Sequence, residues 1–467
     1  MSTMYKLDFN KKIHIYFIGI GGISMSGMAE LLHSEGFTIS GSDSQKNDIT
    51  KHLESLGITI FYGQDAKNIT KNYDLIVYTA AIHPENPEFM QAKALEIPML
   101  NRAQLVGQVM KNYETAVAVS GTHGKTTTTS MLSMMMLEGN LDPTISVGGV
   151  LEAIHGNIRL GNSSNFITEA CEYTDSFLNF HPTRSIILNV EAEHLDYFKD
   201  LAHVRQSFKT FANLLPADGT LVINGEIDEV EDLISETTCK VITYGVIDEN
   251  FNQPVTYSAR NLIYDNHGCA TYDLYKEETK ISSVTLATVG RHNASNSLAA
   301  IAMALDMGIS IDAIQDALHQ FTGTHRRFEL KGEKNGVTII DDYAHHPTEI
   351  AACLAGAQRY PHKELWCAFQ PHTYTRTRNF LKEFAVALSS ADHIVLADIY
   401  PAREEDPGDI SSADLLRELN ALGKDVHYFH TFEEIEKFLF DHCTNGDLLI
   451  TMGAGNIVTV GENLLQK

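Results

Sequence analysis

Apolar residues fall in short runs at 13–20, 37–40, 58–61, 75–79 and 99–100, and amphipathic stretches at 26–34 and 51–56 lie between them. Short apolar runs alternating with helical patterns predict a parallel, doubly wound sheet. A fresh strand begins near Thr115, so a first domain over 1–113 is expected. Strand patterns resume at 116–120, 166–169, 185–189 and 221–223. A polar, tyrosine-rich stretch over 244–285 reads as irregular antiparallel β, and a helical pattern follows at 295–307. Further strands are predicted at 337–341, 365–369, 394–397 and 447–451, in a part that opens near 324–327. The pattern therefore predicts an α/β chain of three domains, 1–113, 114–323 and 324–467. No internal repeat or low-complexity linker separates them, so short hinges should join them.

Length and composition agree with that division. A chain of 467 residues exceeds one ordinary core, since domains run to roughly 100–200 residues. With 43% hydrophobic and 20% charged residues the balance is that of a globular protein. No stretch reaches the ~18 apolar residues of a membrane helix, and the polar start, residues 1–12, does not read as a signal peptide. Six cysteines stand singly, with no CxxC pair, which fits a reducing cytoplasm. A formal net charge of -25 disfavours nucleic acid. Phosphate can still be held locally, by backbone amides, magnesium and a few cations.

The local chemistry is concentrated at strand ends. Ser120-Gly121-Thr122-His123-Gly124-Lys125-Thr126-Thr127 follows an apolar strand and precedes a helical stretch at 128–137. Glycines let such a loop turn its amides toward phosphate oxygens, the helix N-terminus adds partial positive charge and Lys125 a full one. Thr126 has the hydroxyl that suits magnesium. Glu169-Ala170-Cys171-Glu172 closes one following strand, and Asn189-Val190-Glu191-Ala192-Glu193-His194-Leu195-Asp196 closes the next. Glu169 and His194 are candidates there for metal ligation or for holding a water. The first strand runs into Gly19-Ile20-Gly21-Gly22, with Asp43 beyond it. That resembles a dinucleotide fingerprint, although Ser24 stands at the third glycine position, and it predicts a diphosphate at a helix N-terminus.

Polar clusters continue downstream. Gly290-Arg291-His292-Asn293, with Asn296, opens a helix, and Thr324-His325-Arg326-Arg327 follows Gly323. Asp341-Asp342-Tyr343-Ala344-His345-His346-Pro347 and Gln370-Pro371-His372-Thr373-Tyr374-Thr375-Arg376 each close a strand. Adjacent histidines on an extended segment face opposite sides, so His345 and His346 are not expected to share one ion. Orienting a nucleotide or an amino acid is the expected role of this cluster.

Together these motifs resemble the Mur ligases of peptidoglycan assembly, over nearly the whole chain. The shared features are the 121–126 loop, Glu169, His194, His292-Asn293, Arg326 and the 342–347 run. The 19–27 glycine and serine run, Gly41-Ser42-Asp43, Gln370-Pro371-His372 and the 398–404 run, which includes Arg403, resemble the alanine-adding branch of that family.

The resemblance implies a Rossmann-like first domain binding UDP-N-acetylmuramate, a P-loop ATPase-like central domain binding ATP, and a Rossmann-like third domain taking L-alanine. It implies Thr126, Glu169 and His194 as magnesium ligands, and Gly121, Thr122, His123, Gly124, Lys125, Thr126 and Thr127 around the phosphates. His292, Asn293 and Asn296 would meet the adenine end, and Arg326 and Asp342 the nucleotide across a hinge. Gly19, Gly21, Gly22, Ser42, Asp43 and Arg102 would contact the sugar nucleotide. His345, His372 and Arg376 would lie near the amino acid and the transferring phosphate. Lys125, Glu169, His194, Arg326, His345 and Arg376 are thus the expected catalytic set.

The implied reaction forms an acyl phosphate from the lactyl carboxylate, which the amine of L-alanine then attacks, while closure of the domains excludes water. No partner beyond small molecules is implied, and a monomer or homodimer is expected. Two positions depart from the pattern. Thr373 stands where some alanine-adding members have arginine. Lys209 falls near a carbamylated lysine of other members and reads as a surface lysine. Three rival readings remain: a sister ligase taking a recycled tripeptide and expected to lack the 370–376 run, an NAD-dependent dehydrogenase, and a nucleotide-binding switch. The dehydrogenase would leave the 121–126 loop without a task.

Overall fold

A computed structural model describes residues 5–79, 81–402 and 404–467. Residues 1–4 of the polar N-terminal stretch and Arg403 of the 398–404 run lie outside the described residues.

The first sheet holds β1 (His14–Ile18), β2 (Thr38–Asp43), β3 (Thr59–Tyr62), β4 (Leu75–Tyr78) and β5 (Met99–Asn101), and α1 (Ile23–Ser34), α2 (Asp48–Ser55), α3 (Pro87–Ala94) and α4 (Arg102–Met110) alternate with them. Its order is β3-β2-β1-β4-β5, with every pairing parallel. The central strand β1 is Tyr16, Phe17 and Ile18 without interruption, all fully buried. A parallel sheet covered on both faces requires such a continuous apolar run.

The second sheet is built on β6 (Thr115–Ser120), which leads through the phosphate-loop sequence into α5 (Lys125–Glu138). β7 (Thr144–Leu151), β8 (Gly156–Arg159), β9 (Asn165–Ala170) and β10 (Arg184–Ile187) follow, then α6 (Leu201–Ala212), β11 (Thr220–Asn224), α7 (Val230–Ile234) and β12 (Lys240–Val246). β6 lies between β10 and β9, parallel to both. α5 is buried from Thr127 to Met136, as expected of a helix with methionine and leucine on nearly every side. It starts three residues before the predicted stretch, because Gly124, at φ +81°, ends the loop and caps the helix.

Contacts divide the chain into two compact units, one holding residues up to 190 and 202–242, the other 191–201 and 243–467. In the first, α4 packs on the turn at 173–179 through Gly107, where a Cβ would stand 1.9 Å from the backbone oxygen of Asn179. A backbone atom cannot rotate aside, so Gly107→Ala is expected to cost about 1–3 kcal/mol or more. A urea midpoint equal to that of the parent would show that this seam is loose.

The second unit begins its β structure at the end of β12, which pairs parallel with β13 (Tyr257–Tyr264). β14 (Cys269–Lys276) and β15 (Thr279–Val289) extend it as antiparallel hairpins with register shifts. α8 (Arg291–Asp306) and α9 (Ile311–Gln320) complete this part. The third sheet comprises β16 (Glu329–Lys334), β17 (Val337–Asp342), β18 (Leu365–Phe369), β19 (His393–Leu396), β20 (Asp425–Tyr428) and β21 (Leu448–Met452). Its helices are α10 (Pro347–Ala357), α11 (Tyr374–Asn379), α12 (Leu381–Leu388), α13 (Ser412–Ala421), α14 (Phe432–His442) and α15 (Val458–Gln466). The order is β16-β17-β21-β18-β19-β20, parallel except for β16. Its two faces carry separate apolar cores, one around Leu354, Phe369 and Phe384, the other around Trp366, Ile435 and Leu449.

Candidate functional site

In the first unit the phosphate-loop sequence bends sharply between β6 and α5. Gly121 (φ +148°) and Gly124 (φ +81°) take backbone conformations that other residues rarely adopt. A Cβ on Gly121 would stand 2.8 Å from that of Leu188. Asn189 fixes the loop from outside. Its carbonyl accepts from Thr122 N–H at 3.1 Å, its side-chain oxygen from His123 N–H at 2.7 Å, and its side-chain N–H donates to His123 O at 3.1 Å. No side chain caps the first turn of α5, so the helix N-terminus keeps its affinity for anions.

Lys125 folds back across this loop. Its ammonium donates to Gly121 O at 2.5 Å, to Thr122 O at 3.0 Å and to the Glu172 carboxylate at 3.0 Å. Burial works against its charge, but the carboxylates of Glu172 and Glu169 outweigh burial and raise its pKa. Lys125 is therefore a fixed cation. Glu172, with its side chain 2% exposed, has no role that its sequence position alone reveals, and it holds that cation.

Glu169 closes β9 beside Val119 of β6. Its Oε1 accepts from Gly148 N–H at 2.6 Å. The next residue, Gly149, lies against Thr126, whose Cγ2 would be 3.2 Å from an added Cβ. The two expected magnesium ligands of this unit thus share one glycine pair as neighbour. A Cβ at Gly148 would stand 2.7 Å from Glu169 Oε2. Gly148→Ala is expected to turn the carboxylate aside and weaken magnesium dependence about 10–100-fold, read as the magnesium concentration giving half-maximal rate. An unchanged requirement would remove Glu169 from the metal site.

The sugar-nucleotide candidates form a second loop in this unit. Gly21 N–H donates to Asp43 Oδ2 at 2.8 Å, and Arg102 Nη1 donates to Ser24 Oγ at 3.1 Å. Gly19 turns at φ +83°. Gly22, at the N-cap of α1, has no side-chain cap above it. Ser42 is fully buried and donates to Glu88. It supports the loop from beneath and has no surface to offer a ligand. Lys209, read as a surface lysine, is held by Asp232 at 3.1 Å and Glu236 at 3.4 Å. Its hydrogen bond to the Asp232 carboxylate raises its pKa and keeps it an ammonium.

In the second unit His345, His372 and Arg376 stand together. The rings of His345 and His372 are 5.7 Å apart, and Arg376 Nη1 lies 3.0 Å from His372 Nδ1. A guanidinium only donates, so that Nδ1 carries a lone pair and His372 is neutral. Its pKa is pushed down to about 3, by burial first and then by the neighbouring His345 ring and the Arg376 guanidinium. His345 Nδ1 donates to Tyr343 O at 3.0 Å, leaving Nε2 as the acceptor. Burial brings its pKa to about 4.

Arg376 itself is anchored by Glu193, whose Oε1 is 3.0 Å from Nε and 2.9 Å from Nη2. Burial alone would raise the Glu193 carboxyl, but Arg376 and neighbouring imidazoles overcome it and hold the pKa at about 2. Sequence reasoning missed Glu193. It stands one residue from His194, whose own N–H donates to Glu193 Oε1 at 3.0 Å. His194 sits in a left-handed conformation (φ +55°).

Arg326 and Asp342, expected to contact the nucleotide, are each held by the backbone and side chains around them. Arg326 donates to Asp341 at 2.9 Å, Gly455 O at 3.0 Å and Gly453 O at 2.7 Å. It therefore clasps the loop after β21. Asp342 accepts from the amides of Phe328 and Ala344, each at 2.7 Å, and burial raises its pKa to about 6. Asn293 donates to Val289 O at 2.9 Å and Asn296 donates to Asn293 Oδ1 at 3.2 Å, both nearly buried at the start of α8. His292 beside them is exposed.

Family models match the chain in order along its length: the Mur ligase family catalytic domain over residues 14–114, the Mur ligase middle domain over 119–304, and the Mur ligase glutamate ligase domain over 326–455. The chain belongs to the Mur ligase family. Among Mur ligases it is 58% identical to the UDP-N-acetylmuramate–L-alanine ligase of Lachnoclostridium phytofermentans, over 99% of this chain and 100% of that protein. It is 57% identical to the protein of the same name from Agathobacter rectalis, over 99% and 100%. A crystal structure of UDP-N-acetylmuramate-alanine ligase from Thermotoga maritima superposes with a TM-score of 0.79 at 28% identity, covering 97% of this chain and 98% of that one. A murein peptide ligase from Psychrobacter arcticus gives 0.71 at 25% identity, covering 97% and 98%. The dehydrogenase reading falls with these matches. Among the described residues no helix is long and apolar enough to cross a membrane.

Proposed function

We propose that this Mur ligase joins L-alanine to the lactyl carboxyl group of UDP-N-acetylmuramate, consuming ATP and releasing ADP and phosphate, in the synthesis of peptidoglycan precursors. The observation that carries the reading is end-to-end identity of 58% with a ligase of that name. The local chemistry agrees. An uncapped helix N-terminus behind a glycine loop, with Lys125 charged at its centre, suits a triphosphate. Thr126 and Glu169 offer hard oxygen donors of the kind magnesium takes, and His194 is the third ligand we assign. When bound, magnesium neutralises developing phosphate charge.

Carboxylate is a poor electrophile, so activation must precede amide formation. A lactyl oxygen attacks the γ-phosphorus, the bond to ADP breaks, and an acyl phosphate results. The alanine nitrogen then attacks the acyl carbon, the carbon–oxygen bond breaks, and phosphate leaves with the electron pair. Lys125 steadies the transferring charge. His345, neutral and with Nε2 free to accept, is the group we assign to take the amine proton, while Arg376 and His372 orient the carboxylate of alanine. We assign 1–113 to the sugar nucleotide, 114–323 to ATP and 324–467 to the amino acid, and place the enzyme in the cytoplasm, where its six unpaired cysteines remain thiols.

The test is phosphate release with UDP-N-acetylmuramate and L-alanine, glycine, L-serine or the recycled tripeptide in turn. L-alanine should give the highest kcat/KM and the tripeptide none. Turnover with the tripeptide alone would make this the sister ligase, and ATP hydrolysis without amide product would end the ligase reading.

A further inference from the structure

In the second unit the ring of His345 is bounded on its Nδ1 side by two oxygens. Nδ1 donates to Tyr343 O at 3.0 Å, and Glu349 Oε2 stands 3.2 Å from the same nitrogen. That carboxylate oxygen also accepts from the backbone N–H of His345 at 3.1 Å. One carboxylate therefore meets both the backbone and the ring of a single residue. The two side chains are mostly enclosed, His345 20% and Glu349 12% exposed, so water does little to screen the charge between them.

The local fold explains how Glu349 comes to lie there. It is the third residue of α10, which His346 caps and Pro347 opens. A carboxylate in the first turn is favoured by the helix dipole and can reach back to a preceding amide. Arg327 Nη1 lies 3.9 Å from the other oxygen, Oε1. Capping needs only the contact to the amide. The contact to the ring is additional, and it falls on the nitrogen opposite to the one left free to accept a proton.

Other charged groups around His345 largely offset one another. Arg376 disfavours a charged ring and Glu193 favours one, but these two pair with each other at 2.9 Å. The His372 ring, 5.7 Å away, is neutral. Burial pulls the His345 pKa down, and the Glu349 carboxylate is the largest influence that pushes it back up.

An imidazole that takes a proton in an enclosed site becomes a costly cation unless a carboxylate faces it. We propose that Glu349 is a positioning residue for amide formation, fixing the Nδ1–H tautomer of His345 and stabilising the ring when Nε2 takes the proton of the attacking amine. This rests on the ligase reading and on His345 as the acceptor. The carbon–nitrogen bond forms, the carbon–oxygen bond to phosphate breaks, and the proton passes from nitrogen to Nε2, while Glu349 gains none. Formation of the acyl phosphate deprotonates no amine, so Glu349 has no part in it.

Rapid-quench assays with saturating ATP, UDP-N-acetylmuramate and L-alanine follow ADP and amide product separately in the first turnover. The side-chain oxygen in Glu349→Gln can still accept from the His345 amide, so ADP should form at the parental rate. Amide formation should fall about 10–100-fold, with Glu349→Asp lying between the two. On a His345→Ala background, Glu349→Gln should add no further loss, as expected of a residue that acts through the ring. Should Glu349→Gln fail to fold by circular dichroism, Glu349→Asp decides by the same two rates. Equal slowing of ADP and amide, amide formation at the parental rate, or full additivity with His345→Ala would each overturn the proposal. A parent protein that releases ADP but makes no amide would instead defeat the ligase reading itself.

Discussion

Lys125→Ala should lose ATP turnover by at least about 10²–10³-fold, the scale of removing one charge-stabilising donor, while binding of the UDP-sugar stays near normal. The ammonium lies in the middle of the phosphate loop, held by Gly121 O, Thr122 O and Glu172. The sugar-nucleotide candidates belong to a different sheet, so their binding should not sense its loss. One complication is stability, because the substitution also removes the cation that balances a buried carboxylate, Glu172. Breaking such a pair from one side costs roughly 3–5 kcal/mol. The double variant Lys125→Met/Glu172→Gln removes both charges and should recover most of that stability without recovering turnover. Release of ADP measured at saturating substrate, beside urea midpoints for both variants, separates the two effects. Turnover near the parental rate in Lys125→Ala would take the loop out of the mechanism.

The sharp turn at 121–124 was legible in the sequence because its residues are contiguous. Glycines, lysine and threonine lie together in one stretch, and the apolar strand before them fixes the direction. The roles of carboxylates were legible only by neighbourhood. Runs 169–172 and 189–196 offer several acidic groups each, and spacing alone does not say which faces the loop and which faces an arginine or lysine. Glu172 and Glu193 took the buried pairings, and Asn189, at the head of its run, took the loop backbone.

The supporting contacts of Arg326, Asp342 and Ser42 were not legible. The sequence does not say that these side chains meet Asp341 and two carbonyls, two amides, and Glu88. Strand patterning gave the parallel sheets well, since buried parallel strands need uninterrupted apolar runs. The helix start was read late at α5, where Gly124 sets the true beginning and the polar first turn carries no apolar signal; at α8 the run from Gly290 marked it.

Arg376→Ala is expected to destabilise the protein by roughly 3–5 kcal/mol at neutral pH and to reverse the sign of its acid dependence. In the parent, the Glu193 carboxyl sits at about 2, below its ordinary 4.5, because Arg376 and nearby imidazoles overcome burial. A carboxyl depressed on folding contributes stability that is complete above about 4.5 and is lost as pH falls toward 2. Without the guanidinium, burial becomes the dominant influence on a side chain only 6% exposed, and the carboxyl rises above its ordinary range. Its contribution then changes sign, and stability should increase as pH falls from 7 through the raised value. Urea midpoints of parent and variant between pH 4 and 7 test this, with Glu193→Gln as the control in which the term disappears. Parallel midpoint curves for parent and Arg376→Ala would show that Glu193 does not depend on Arg376 for its charge. A steep loss of kcat/KM for L-alanine at fixed ATP, with the ATP KM little changed, would separate the orienting role of Arg376 from its structural one, since instability alone would not single out the amino acid.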